Sequence, residues 1–194
     1  QAGSSNPTPG GGSVAALVAA LGASMTLMVS NLSQGEKYAQ FQLQIADVID
    51  QMSRLTKDCE ELFHADISAF HKFMEAWRLP KETEEEKILR KKAMEEAAVL
   101  AIEVPFRLIE VCRVGLECAH RIANTCNKNV ISDLGIGAML FEAAAQSASL
   151  TIEINLGSLK DPKLKRKYSE KLFSLMREIT ERKNEVLQIT RDRF

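Results

Sequence analysis

Between Phe41 and Ala76 one set of residues returns in alternating steps of four and three: Phe41, Ile45, Val48, Met52, Leu55, Cys59, Leu62, Asp66, Ala69, Phe73 and Ala76. Steps of that size keep side chains on one stripe of an α-helix, whereas a strand would scatter them over both faces. The spacing predicts an amphipathic helix from about Gln40 to Leu79, with a heptad-like seam turned toward a partner. Pro80 closes it, because a proline drives the residue before it out of the helical region. Every member of the seam is apolar or small except Asp66, a carboxylate.

Helical signals fill the rest of the chain, and nothing alternates with a period of two over a useful length. Ser13 to about Leu32 reads as a first helix whose Ala15, Ala16, Ala19, Ala20, Gly22 and Ala23 let another helix approach closely. Thr83-Glu84-Glu85-Glu86 is a capping box opening a third helix to about Ala123, with a kink expected near Pro105. A polar connection from Asn124 to Asn129 leads to a fourth helix, about Ser132 to Leu156, again rich in glycine and alanine. Asp161-Pro162, an N-cap followed by proline at the first helical position, starts the last. Its seam includes Leu164, Tyr168, Leu172, Leu175, Ile179, Val186 and Ile189. The expected architecture is all-α, one domain over residues 1–194. It is a bundle of about five helices, two central small-residue helices surrounded by long amphipathic ones. Two helices short on charge in so small a chain also predict a self-association surface.

Composition narrows the function classes. With 45% apolar and 26% charged residues the chain is globular rather than disordered. A net charge of −1 gives no field toward nucleic acid or an anionic membrane, and 6% aromatic residues give few platforms for bases. Ser13 to Ser33 is long enough to span a bilayer, but its alanine, serine and glycine content and Asn31 favour a buried helix. Cys59, Cys112, Cys118 and Cys126 form no Cys-x-x-Cys pair and no leader sequence stands ahead of them. Reduced thiols and a cytoplasmic location are therefore expected. Gln1 is not a natural first residue, which leaves room for a segment ahead of it. His64, His71 and His120 lack metal-ligand spacing, and no nucleophile elbow is present.

Three features could carry chemistry. In Asn6-Pro7-Thr8-Pro9-Gly10-Gly11-Gly12-Ser13 the prolines stiffen the approach, and the glycines admit backbone conformations barred to other residues. Ser13 then opens a helix with unpartnered N–H groups. Such a loop can hold an anion or a flat ligand, or can be a turn that lets two helices touch. It is neither a Walker A loop nor a dinucleotide fingerprint. Asp66, with Leu62, Phe63, Ala69 and Phe70 around it, must be hydrogen-bonded, protonated or beside water in a cleft. An acid with a raised pKa there suits proton transfer at neutral pH. Equally, a helix terminus or a neighbouring cation could satisfy it. The third feature is Asn127-Lys128-Asn129-Val130-Ile131-Ser132-Asp133. Ser132 or Asp133 there could cap the fourth helix, and the Asn127 and Asn129 amides suit a pterin edge or an ordinary loop.

Taken in order, these pieces resemble the formiminotetrahydrofolate cyclodeaminase / methenyltetrahydrofolate cyclohydrolase family. Pro7 to Ala16 matches its Pro-Thr-Pro-Gly-Gly-Gly-Ser-Val-Ala-Ala element. Met28 to Leu32 and Gly35-Glu36-Lys37-Tyr38 follow, then Asp66, Ala69 and Phe70 of an Asp-x-x-Ala-Phe motif. Leu79-Pro80, Val104-Pro105, Cys126 to Asp133 and Ile154-Asn155-Leu156 complete the series. Each motif is weak alone, but the ordered set is specific and covers nearly the whole chain. Cys126 stands where the family usually has glycine, and Glu36 where lysine is common.

The resemblance implies an all-helical homodimer with a folate cleft beside the glycine loop, no metal, and no cofactor beyond the folate itself. It implies 5-formiminotetrahydrofolate cyclodeaminase as the first activity and 5,10-methenyltetrahydrofolate cyclohydrolase as the alternative. On that reading Asp66 moves the proton and Asp133 assists. Pro9, Gly10, Gly11, Gly12, Ser13, Asn127 and Asn129 hold the folate, and Lys37 attracts its glutamate tail. A helical dimer module that binds folate without turnover is the reading from another class, and Asp66 with the Asn/Asp loop argues against it.

Overall fold

The structure, a computed structural model, describes residues 2–194, so Gln1 and the question of what precedes it lie outside the described residues. Five α-helices follow one another: α1 Gly11–Asn31, α2 Gln42–Arg78, α3 Glu84–Ala123, α4 Ile131–Leu156 and α5 Pro162–Asp192. Short 3-10 turns at Glu36–Phe41 and Lys128–Val130 lead into α2 and α4, and no strand occurs among the described residues. These turns account for the main boundary difference from the sequence reading, since α2 begins at Gln42 rather than Gln40.

The seam of α2 does what its spacing predicts. Ile45, Val48, Met52, Leu55, Cys59, Leu62, Ala69 and Ala76 are buried, while Asp66 and Phe73 are only partly so. The stripe therefore opens to solvent around Asp66. α3 starts on the expected capping box, with the Glu86 N–H donating to Thr83 Oγ1 and the Thr83 N–H to Glu86. It runs through Pro105 without interruption and packs against all four other helices.

α1 and α4 cross at small residues. A Cβ on Gly22 would lie 3.1 Å from the Gly137 carbonyl, and one on Gly137 would lie 3.0 Å from Thr26 Oγ1. The Phe141 ring fills the junction of three helices, because a Cβ on Gly115 of α3 would come within 2.3 Å of it. α1 carries no charged residue and is long and apolar enough, by length and composition alone, to cross a membrane. Here one face is packed in the bundle through Ala15, Ala16, Ala19 and Ala23. The outward face keeps Val14, Leu17 and Leu21 exposed, and α4 beside it exposes Ile136, Met139, Leu150 and Ile154.

Candidate active site

The first turn of a helix leaves its N–H groups without internal partners. Gly10, the N-cap of α1, offers no side chain to meet them. The missing acceptor comes from α2, where Asp66 Oδ2 accepts the Ser13 N–H at 2.8 Å and the Ser13 hydroxyl at 2.7 Å. A carboxylate in that position also complements the positive end of the helix dipole. Ser13 is fully buried beneath it.

Gly10, Gly11 and Gly12 do not serve as conformational exceptions. Gly35 has the only positive φ among the described residues, so the expectation of barred backbone conformations in the loop is corrected. The requirement is one of space. A Cβ on Gly12 would sit 2.1 Å from Asp66 Oδ1 and 2.6 Å from its carboxyl carbon. A Cβ on Gly11 would meet nothing within 4 Å, so that position faces open volume.

That volume is a cleft of about 350 Å³ floored by Gly10, Gly11, Gly12 and Asp66, within the size range of small-molecule sites. Phe70 and Phe73 of α2 form an aromatic wall, and Ala101 and Pro105 of α3 face Thr151 and Asn155 of α4. One hydrogen bond sets the last of these. Pro105 has no N–H, so the carbonyl four residues earlier, Ala101, loses its helical partner. The Asn155 side-chain amide donates to that carbonyl at 3.3 Å and to the Thr151 carbonyl at 2.8 Å. The proline thus fixes an amide at the rim of the cleft.

The structure divides the residues singled out in the sequence into two groups. Gly10, Gly11, Gly12 and Asp66 line the cleft; Ser13 lies just beneath, and Pro9 is half-buried ahead of the loop. Asn127, Asn129, Asp133 and Lys37 gather near the other end of α1, whose 21 residues span about 30 Å. There the Asn127 N–H donates to Ser33 Oγ at 2.8 Å and its side-chain amide to the Leu32 carbonyl at 3.0 Å. Asn127 Oδ1 accepts the Asn129 N–H at 3.1 Å. Asn127 therefore latches the start of α4 to the end of α1. Asp133 is half-exposed in the first turn of α4, and Lys37 is exposed with its ammonium 5.4 Å from the Tyr38 ring centroid.

Phe70, Phe73, Thr151 and Asn155 were not singled out as site residues. Phe73 carried a usable signal, as a large side chain seven residues, about two turns, from the odd carboxylate on the same seam. Asn155 carried one too, as a polar residue four positions from Thr151 on a helix of small residues. Among the described residues no three His, Cys, Asp or Glu side chains gather as a metal ion would require.

Comparison with known proteins places this arrangement. The formiminotransferase-cyclodeaminase family profile matches residues 1–174. The methenyltetrahydrofolate cyclohydrolase of Methylorubrum extorquens is 37% identical over 159 residues, covering 81% of this chain and 76% of that protein. The formimidoyltransferase-cyclodeaminase of Gallus gallus is 34% identical over 177 residues, 91% of this chain. The chain spans only about a third of that protein, 33% of its length. Among solved structures, the formiminotetrahydrofolate cyclodeaminase of Thermotoga maritima matches with a TM-score of 0.85 at 26% identity. That match covers 97% of this chain and 91% of the other.

Proposed function

The chain belongs to the formiminotransferase-cyclodeaminase family, and from that premise we propose that it is a folate enzyme working on the carbon that bridges N5 and N10. The activity is 5-formiminotetrahydrofolate cyclodeaminase. The observation that carries this reading is an ionisable side chain, Asp66, at the floor of a cleft with an aromatic wall and a backbone-lined base.

In the reaction N10 attacks the formimino carbon attached to N5, giving a tetrahedral carbon bonded to three nitrogens. N10 loses its proton, the former imine nitrogen gains protons, and its bond to carbon breaks to release ammonia. The product is 5,10-methenyltetrahydrofolate. One carboxylate can serve both demands, taking the proton from N10 and delivering one to the leaving nitrogen. Asp66 fits this role because Ser13 holds Oδ2 by two hydrogen bonds, while Oδ1 stands over Gly12 at the cleft floor. Asn155 and the open first turn of α1 supply orientation. The reading includes no metal, no cofactor beyond the folate, and a cytoplasmic location in keeping with four free, buried cysteines.

Cyclohydrolase action, in which water opens the methenyl bridge to 10-formyltetrahydrofolate, is the second reading. It is favoured by the 37% identity to the Methylorubrum extorquens cyclohydrolase over most of both chains. Asp66 would then act as base toward water.

The reading also includes a homodimer joined by the exposed stripes of α1 and α4, whose apolar side chains are otherwise left in water. Antiparallel packing of α1 on its copy would set the Asn127–Asp133 end of one protomer beside the glycine loop of its partner. This is how Asp133, Asn127, Asn129 and Lys37 could share the chemistry of a cleft a helix length away.

The deciding experiment incubates the protein with each folate and follows methenyl absorbance together with ammonia. A rise in both from 5-formiminotetrahydrofolate identifies the cyclodeaminase. Faster loss of methenyl absorbance than in buffer identifies the cyclohydrolase, and neither change rejects the reading.

A further inference from the structure

The polar side chains lining the cleft are Thr8, Asp66, Thr151 and Asn155, and Asp66 is the only one among them that carries charge. A carboxylate accepts hydrogen bonds and donates none. Asn155 is restricted in the same direction. Both N–H donors of its side-chain amide are taken, by the Ala101 carbonyl at 3.3 Å and the Thr151 carbonyl at 2.8 Å. Its Oδ1 forms no hydrogen bond among the described residues. Exchanging nitrogen and oxygen would set an oxygen against two carbonyls, so the orientation of the amide is fixed by chemistry. Pro105 is the origin of this polarity, because its missing N–H leaves the Ala101 carbonyl open to the amide.

Thr151 repeats the pattern. Its hydroxyl donates to the Ser147 carbonyl at 3.4 Å, which leaves the lone pairs of Oγ1 as its free hydrogen-bonding capacity. Thr151 and Asn155 stand four residues apart on α4, share one helix face and are both half-buried. This wall of the cleft therefore offers a ligand two side-chain acceptors and no side-chain donor. The remaining donors are the Thr8 hydroxyl, on the loop ahead of α1, and backbone N–H groups in the first turn of α1.

We infer that the α4 wall reads the nitrogen of the one-carbon group, with Asn155 Oδ1 and Thr151 Oγ1 accepting its N–H bonds, so that the cleft selects a formimino over a formyl substituent. The inference rests on the folate reading above and deepens it. A formimino group on N5 is an amidine, which is protonated at neutral pH and brings a positive charge and N–H donors. In the cleft it meets one negative charge and two acceptors. A formyl group has the same shape but is neutral and ends in a carbonyl oxygen. Placed on this wall, that oxygen faces lone pairs, and no side-chain donor is left there to turn toward it. The same polarity separates the two activities, because the methenyl bridge brings no N–H bond to the wall.

The test compares 5-formyltetrahydrofolate with 5-formiminotetrahydrofolate, in the natural chain and in Asn155→Leu and Thr151→Val. The formyl compound is measured by its inhibition constant and the formimino compound by its KM, or both as inhibitors if the protein hydrolyses the methenyl compound instead. The natural chain is expected to favour the formimino form by about hundredfold, the scale of one or two hydrogen bonds to a charged group. Asn155→Leu should cut that ratio about tenfold by weakening the formimino form alone, and Thr151→Val about threefold. Thr151→Val removes only a hydroxyl, so it decides the matter if Asn155→Leu does not fold. Equal affinity for the two compounds in the natural chain, or a full preference surviving in the folded variants, would overturn the assignment while leaving the proposed function intact. Turnover of neither the formimino nor the methenyl compound would remove the function and the assignment together.

Discussion

A methyl group on Gly12 would lie 2.1 Å from Asp66 Oδ1, while one on Gly11 would touch nothing within 4 Å. Two adjacent glycines thus make opposite predictions. Gly12→Ala should drive the carboxylate away, break its bonds to Ser13, and lower stability by about 1–3 kcal/mol as well as activity. Gly11→Ala should leave the melting temperature nearly unchanged and raise KM, because its methyl projects into the cleft. Thermal melts paired with KM values for both variants check this, and equal effects in the two would contradict it. At this scale the sequence disclosed Asp66, because a lone carboxylate on an apolar seam has to be satisfied somehow. It did not disclose the reason for the glycines, since no local pattern says which side chain from another helix will occupy the space. Among the explanations left open for Asp66, the helix-terminus one describes Oδ2, and the cleft one describes Oδ1.

Helices were legible where their signals are local. The capping box at Thr83, the Asp161-Pro162 start and the stop at Pro80 each concern a few neighbouring residues. The 3-10 turn at Glu36–Phe41 was not, because nothing in its composition separates it from the helix it precedes. Which helix fills which face was not legible either: a stripe announces that a partner exists without naming it. Phe141 shows the consequence, since its ring packs against glycines of both α1 and α3. Gly115→Ala should therefore overpack that junction and cost about 1–3 kcal/mol, measurable by urea unfolding; an unchanged midpoint would mean that the ring moves freely. Asn155 links elements in the same way, by covering the Ala101 carbonyl that Pro105 leaves without a helical partner.

Across the whole molecule, burial pushes the Cys59 thiol up to about 12 and the Cys118 thiol up to about 11, with Cys112 and Cys126 also raised. The native protein should therefore react slowly with a thiolate-selective reagent at pH 8 and expose all four thiols on unfolding. Fast labelling of any of them in the native state would show that the core opens locally. The exposed apolar stripes of α1 and α4 lead to a separate expectation, that Leu21→Arg shifts the protein from dimer to monomer in sedimentation equilibrium and lowers turnover. A monomeric natural chain would remove the proposed association. The distance between the glycine loop and the Asn127–Asp133 cluster belongs to this scale as well. Linear order put both clusters at helix starts, but only the antiparallel run of α1 and α4 sets them a helix length apart.

The most direct measurement of the central claim is the turnover of Asp66→Asn on the folate that the natural protein converts, with folate binding and circular dichroism recorded on the same preparation. Asparagine can still accept the Ser13 bonds but cannot carry a proton to the leaving nitrogen. The account predicts a native helical spectrum, retained folate binding and a kcat lower by about two to four orders of magnitude. A folded, folate-binding variant with near-normal kcat would contradict it.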